Sequence, residues 1–142
     1  MTLELRDYKG KEDFTEFKRW WEFWRWKDRV TEEILSDIGY VVEKDGLPLC
    51  AGFLYTTNSL IASIEWVVSN PFAQKEDVDE GLDFLLECLC QRALKEKKRL
   101  IMTTINSPTF AKRLEKLGFV ISGENLKQYI RLKWHYHQGR IF

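Results

Sequence analysis

Cysteine is scarce: three in 142 residues, an odd number, too small for a disulfide framework and suited to a reducing, cytoplasmic setting. Proline (three) and glycine (eight) are sparse as well, which excludes collagen-like and low-complexity classes. No apolar run approaches the roughly 20 residues of a membrane span, so no membrane partner is expected. The start, Met1 to Asp7, has neither a basic n-region nor an apolar h-region, so no signal peptide is expected either. Phosphate-binding loops of the P-loop or G-x-G-x-x-G type are missing, as is a nucleophile–His–Asp arrangement, which leaves hydrolase and nucleotide-binding readings with little support. Net charge is absent too, with 22 Lys+Arg against 22 Asp+Glu.

What the chain does have is apolar and aromatic mass. Hydrophobic residues make up 44%, with six Trp and nine Phe, enough to rule out disorder. A domain of this length buries roughly 70% of its unfolded surface, so it needs no staples. With no repeat and no linker, residues 1–142 read as one domain. The zero charge hides an asymmetry: residues 1–91 carry 10 basic and 19 acidic side chains, and residues 92–142 carry 12 and 3. A basic half suits a phosphorylated ligand or nucleic acid; alternatively the two halves neutralise each other in the fold.

Alternation over Leu3–Tyr8 marks a half-buried strand. From Glu12 to Asp28 the period is helical, with Phe14, Phe17, Trp21 and Trp24 on one face, Trp20 beside them, and Phe23 and Trp26 pointing away. A second, shorter helix is expected from Thr31, with Glu32 and Glu33 in its first turn. Three strands come next: Tyr40–Lys44, turned by Asp45-Gly46; Leu49–Thr57; and Leu60–Val68, stopped by Asn70-Pro71. After an acidic loop, Phe72 to Glu80, a helix of about sixteen residues places Leu82, Leu85, Leu86, Leu89 and Ala93 inward. Arg99–Ile105 reads as a strand. Ser107-Pro108 then starts a helix that ends at Leu117-Gly118. Phe119–Ser122 and Leu126–Trp134 read as two closing strands. The order is β-α-α-β-β-β-α-β-α-β-β, an α/β arrangement.

The segment Ala111-Lys112-Arg113-Leu114-Glu115-Lys116-Leu117-Gly118-Phe119 resembles the A-x-x-L-Y-E-K-L-G-F signature of the GNAT superfamily of N-acetyltransferases. Leu100 to Asn106 sits where that family places its fifth strand, and the element order agrees over nearly the whole chain. The resemblance implies a mixed central sheet with helices on both faces, splayed near Val67-Val68-Ser69. It also implies transfer of an acetyl group from acetyl-coenzyme A to an amine acceptor, either a small molecule or a peptide. The cofactor would lie along Val67, Val68 and Ser69, with Asn106 across the opening, and its pyrophosphate would meet a loop of pattern Q/R-x-x-G-x-G/A. In this sequence Gln74 takes the Q/R place when counted from Pro71, and Glu76 or Asp77 when counted back from the helix; of the glycines only Gly81 is left. Unpaired N–H groups at a helix start hold anions in any case, whereas acids there repel them unless they point outward or are offset by bases such as Lys75. The bland alternative is that these acids simply favour the helix start.

Glu65 lies in the apolar run Ile64-Glu65-Trp66-Val67-Val68. A carboxylate beside a thioester serves as the base that acetyl transfer to an amine requires; otherwise Glu65 is an edge-strand residue without a role. The resemblance places Phe23, Trp24 and Trp26 on the acceptor side. At the position where the family often carries a Tyr proton donor this chain has Leu114, and nothing places Tyr129 or Tyr136 there instead. His135 and His137 share a face if extended, but without a third ligand no metal is expected. Nucleic acid is an unfavoured partner, since Glu12, Asp13, Glu16 and Glu22 share the aromatic helix with its bases. The apolar tail, Trp134 to Phe142, suggests a homodimer contact. The rival to an enzyme is a binding module of the same fold that has lost catalysis.

Overall fold

The computed structural model describes residues 2–26, 30–105, 107–129 and 131. Five strands form one sheet in chain order: β1 (Leu3–Asp7), β2 (Ile38–Lys44), β3 (Leu47–Thr56), β4 (Ile61–Ser69) and β5 (Leu100–Met102). The first four pair antiparallel, and β5 joins β4 in parallel. Three α-helices, α1 (Gly10–Phe23), α2 (Lys75–Lys95) and α3 (Pro108–Lys116), and a short 3-10 turn complete the described elements.

Side-chain alternation along the strands builds two cores. On one face Phe17, Trp20 and Trp21 of α1 pack on Val41, Ala51, Phe53 and Val68. On the other, Leu82, Leu85, Leu86, Leu89 and Ala93 of α2, with Leu114 of α3, pack on Val42, Leu49, Cys50, Leu54, Ala62 and Ile64. The sheet is mixed and covered by helices on both faces, as the sequence implies. The β2–β3 turn is Asp45-Gly46, both at positive φ (52° and 80°), as a two-residue hairpin turn demands.

Several elements differ from expectation, among them β5, which spans Leu100–Met102 rather than Arg99–Ile105. Helix α1 stops at Phe23 rather than Asp28, because Arg25 takes φ +57°. The Trp26 N–H then bonds the Trp21 carbonyl at 3.2 Å and the Arg25 N–H bonds that of Glu22 at 3.1 Å, the paired contacts of a Schellman stop. The expected second helix is only a 3-10 turn, Glu32–Ile34. The acidic segment before Gly81 is mostly helix, because α2 begins at Lys75 and its acids sit in the first two turns. Finally, Phe119–Ser122 carries no strand, nor does the described part of Leu126–Trp134.

Two irregularities in β4 shape its outer edge. Ala51 pairs with Val68 and Phe53 with Glu65, so Gly52 faces two residues, Trp66 and Val67. This is a β-bulge, with Trp66 held at φ +58°, where bulky residues rarely sit. Moreover, β5 pairs only with Ile61, Ala62 and Ser63. The Thr103 hydroxyl donates to the Ile64 carbonyl at 2.8 Å, and beyond it no described strand lies against the outer edge of β4.

Candidate functional site: the open edge of β4

Where β4 ends, Asn70 turns the chain toward α2. It is buried and fully engaged: its N–H bonds the Leu49 carbonyl at 2.8 Å, its side-chain amide the Pro48 carbonyl at 2.9 Å, and its side-chain oxygen accepts from the Phe72 N–H at 2.9 Å. Read in the sequence only as a strand stop, Asn70 proves to be the residue that fixes the direction of the helix.

Helix α2 begins without a side-chain cap from Gln74, and its first intrahelical bond runs from the Val78 N–H to the Gln74 carbonyl at 3.0 Å. The N–H groups of Lys75, Glu76 and Asp77 therefore have no partner within the helix and carry the positive end of its dipole. Beside them opens a cleft of about 370 Å³ bounded by Trp24, Ser69, Lys75, Asp79, Ser107 and Arg113. Ser107 accepts from the Phe110 N–H at 3.3 Å, the hydroxyl cap that Ser107-Pro108 announces, and α3 starts at the cleft wall.

The acids of this segment do not crowd the cleft. Asp77 pairs with Lys44 at 2.7 Å, which raises the Lys44 ammonium above its usual range, chiefly through that hydrogen bond. Asp79 and Asp83 pair with Arg113 at 3.1 and 2.7 Å. Of the acids only Asp79 borders the cleft, against the two cations Lys75 and Arg113. With Asp77 engaged by Lys44 and Asp79 by Arg113, the cleft presents Lys75 and the helix N–H groups to an anion. Arg113, unremarked within its signature segment, is the residue that arranges this.

Each expected site residue has a definite place. Val67 turns toward α2 beneath Gly52, Val68 is buried on the α1 side, and Ser69 borders the cleft. Gln74 is exposed and does not line the cleft. Gly81 does not either. A Cβ there would lie 3.3 Å from Cys50 Sγ and Leu49 Cβ, so Gly81 lets α2 pack on β3 and is not a ligand-facing glycine. Asn106, Tyr136, His135, His137 and the tail Trp134 to Phe142 lie outside the described residues. Glu65 stands opposite Phe53 and accepts a hydrogen bond from the Ser63 hydroxyl. Ser69 lies four positions further on, but the bulge absorbs one step: their partners Phe53 and Cys50 are three residues apart, so the two stand about 10 Å apart along the strand. The aromatic trio divides: Phe23 and Trp24 stack toward Phe72 on the cleft side, while Trp26 packs on Trp66, their ring centroids 5.7 Å apart, next to Glu65 in the chain. Leu114 is buried in the core, so no proton donor stands at its position. The Cys50, Cys88 and Cys90 thiols are all raised above their ordinary value, mainly by burial, which keeps them neutral and poor nucleophiles. Among the described residues no three metal-ligating side chains gather, and no helix is long and apolar enough to cross a membrane.

A mixed sheet splayed between β4 and β5, with an uncapped helix start at the splay, is the architecture of the acetyl-coenzyme A-dependent acyltransferases that the sequence resembles. Solved structures agree. Glucosamine-6-phosphate N-acetyltransferase from Arabidopsis thaliana superposes with a TM-score of 0.65 at 14% identity, over 92% of this chain and 100% of that one. Rv2747 from Mycobacterium tuberculosis, in complex with CoA, gives 0.68 at 16% identity, over 87% and 76%. A GNAT-family acetyltransferase from Streptococcus pneumoniae gives 0.63 at 14%, over 92% and 96%. The chain has the GNAT fold. No family model matches it, and no curated protein matches it in sequence.

Proposed function

We propose that this protein is an N-acetyltransferase that moves the acetyl group of acetyl-coenzyme A to an amine acceptor. The observation that carries the reading is the outer edge of β4, against which no described strand lies beyond Ser63 and which runs past Glu65 to a cleft where the uncapped start of α2, with Lys75, faces Arg113 of α3. Ser69, which borders the cleft beside the α2 start, and a reacting group near Glu65 lie about 10 Å apart along the strand. Such a separation suits a donor whose phosphates and acyl group are joined by a long arm. The fit lies at the helix start, where free N–H groups and Lys75 take the place of the missing glycines.

When bound, acetyl-coenzyme A supplies an activated thioester. Glu65, its carboxylate steadied by the Ser63 hydroxyl, takes a proton from the acceptor nitrogen as the nitrogen–carbon bond forms and the carbon–sulfur bond breaks. With Leu114 buried in the core, the protein offers no acid at the usual place, and solvent protonates the departing thiolate. Trp26 and Trp66 flank the acceptor side.

Glu65→Gln keeps the shape and removes the base. Free-thiol release with a panel of amines is expected to slow roughly 10²-fold in this variant, with acetyl-coenzyme A affinity unchanged. Parent-like turnover across pH 6 to 9 would leave Glu65 without a role. The buried Leu114 favours a second reading, a module that binds acyl-coenzyme A without transferring. Binding by the parent with no thiol release from any amine would select it.

A further inference from the structure

One hydrogen bond crosses from α1 to the open edge of β4. The Trp24 indole Nε1–H donates to the Ser69 carbonyl at 2.9 Å. The Asn70 N–H of the same peptide unit points to β3, where it bonds Leu49, so the Ser69 carbonyl points the other way, toward the cleft. Trp24 itself lines that cleft. It is therefore already seated on the last outward-facing acceptor of the edge.

Resting on the reading of this cleft as the donor site, we propose that Trp24 is a latch. Its indole holds the carbonyl that an amide N–H of the donor's arm would engage, and donor entry requires the indole to let go. The local structure suits a part that moves. Trp24 is the residue just past the last turn of α1, next to Arg25 at φ +57°. It is 49% exposed, whereas Trp20 and Trp21 are 2% and 3% exposed and anchor the helix. Its one ring neighbour on α1, Phe23, is also exposed and leans on Phe72, itself 76% exposed. Releasing the indole thus opens no hole in the core. It exchanges one hydrogen bond for another, and ligand affinity is reduced by the fraction of molecules in the latched state.

Trp24→Phe separates the latch from a simple wall, because it keeps a ring and removes only the N–H. Coenzyme A binding is measured by calorimetry for parent and variant, and the Trp24 indole is followed in ¹⁵N spectra, where its resonance is the one the variant lacks. Trp24→Phe is expected to bind coenzyme A about two- to tenfold more tightly, the equivalent of one net hydrogen bond. In the parent, the indole resonance is expected to shift and exchange faster with solvent at saturation. Equal or weaker binding by Trp24→Phe overturns the latch while leaving the donor site intact. No binding by either protein at millimolar coenzyme A, with native spectra, overturns the donor reading and the latch together.

Discussion

The hydroxyl of Tyr8 is buried without a hydrogen-bond partner among the described residues, and burial, helped by Glu32 and Asp13, pushes its pKa up to about 12. An orphaned buried donor costs stability, so Tyr8→Phe is expected to stabilise the fold by about 1 kcal/mol in urea titrations at pH 7. Because the folded value is raised, the stabilisation from keeping Tyr8 protonated is complete below pH 10 and is lost as pH climbs toward 12. Tyr8→Phe should flatten that alkaline limb; a variant less stable than the parent would place a partner on the hydroxyl. Asp13 shows the opposite sign. Burial works against its ionisation, but the Arg6 guanidinium, in two hydrogen bonds of 2.7 and 2.9 Å, and the Lys9 N–H at 2.7 Å hold its carboxyl below the usual range. Its contribution is present at neutral pH and is lost as pH falls below the ordinary value of 3.8 through the lowered one. Asp13→Asn is expected to cost roughly 2 kcal/mol at pH 7 and to remove that acid limb. An unchanged unfolding midpoint at pH 7 would contradict it.

All three helices end in the same way, with a left-handed residue and paired backbone bonds to the last turn: Arg25 after α1, Lys97 after α2 and Gly118 after α3. Only Gly118 advertises itself in the sequence, because only glycine adopts that conformation without penalty. Arg25 and Lys97 take it because the buried stripes of their helices fix where the chain must turn, and a tertiary demand of that kind leaves no local mark. The same reason explains the bulge at Trp66. The start of α2 is ambiguous in the sequence because acids read equally well as a polar loop or as the first turns of a helix. The strands, the inward leucines and the Ser107 cap are legible, since period, hairpin turns and capping chemistry are all local. Of the candidate site, Glu65 and the β4 edge are expectations that the sequence itself raises. Arg113 and Trp24 cannot be assigned their places, because their partners, Asp79, Asp83 and Ser69, are distant in the chain. Lys97→Gly relieves the strain at an exposed position and should stabilise by about 0.5–1 kcal/mol, a few degrees in Tm. A lower Tm would mean that the Lys97 side chain contributes more than its backbone costs.

Across the whole molecule, the acidic first two-thirds and the basic last third meet at a seam, Arg113 on Asp79 and Asp83. Not every basic residue of the last third pairs with an acid. Lys98, for example, spends its charge on the Thr57 and Ser59 carbonyls. What the seam does is neutralise two acids of α2 beside its uncapped start, which leaves Lys75 and the helix dipole facing the cleft. Sheet splay, helix start and charge arrangement thus converge on one surface, and the central claim is that this surface holds the phosphorylated donor. Titration calorimetry with acetyl-coenzyme A at low and high salt tests it most directly. One molecule is expected to bind per chain, with affinity falling as salt rises because the contact is partly ionic. No heat at millimolar acetyl-coenzyme A, at either salt concentration, would contradict it.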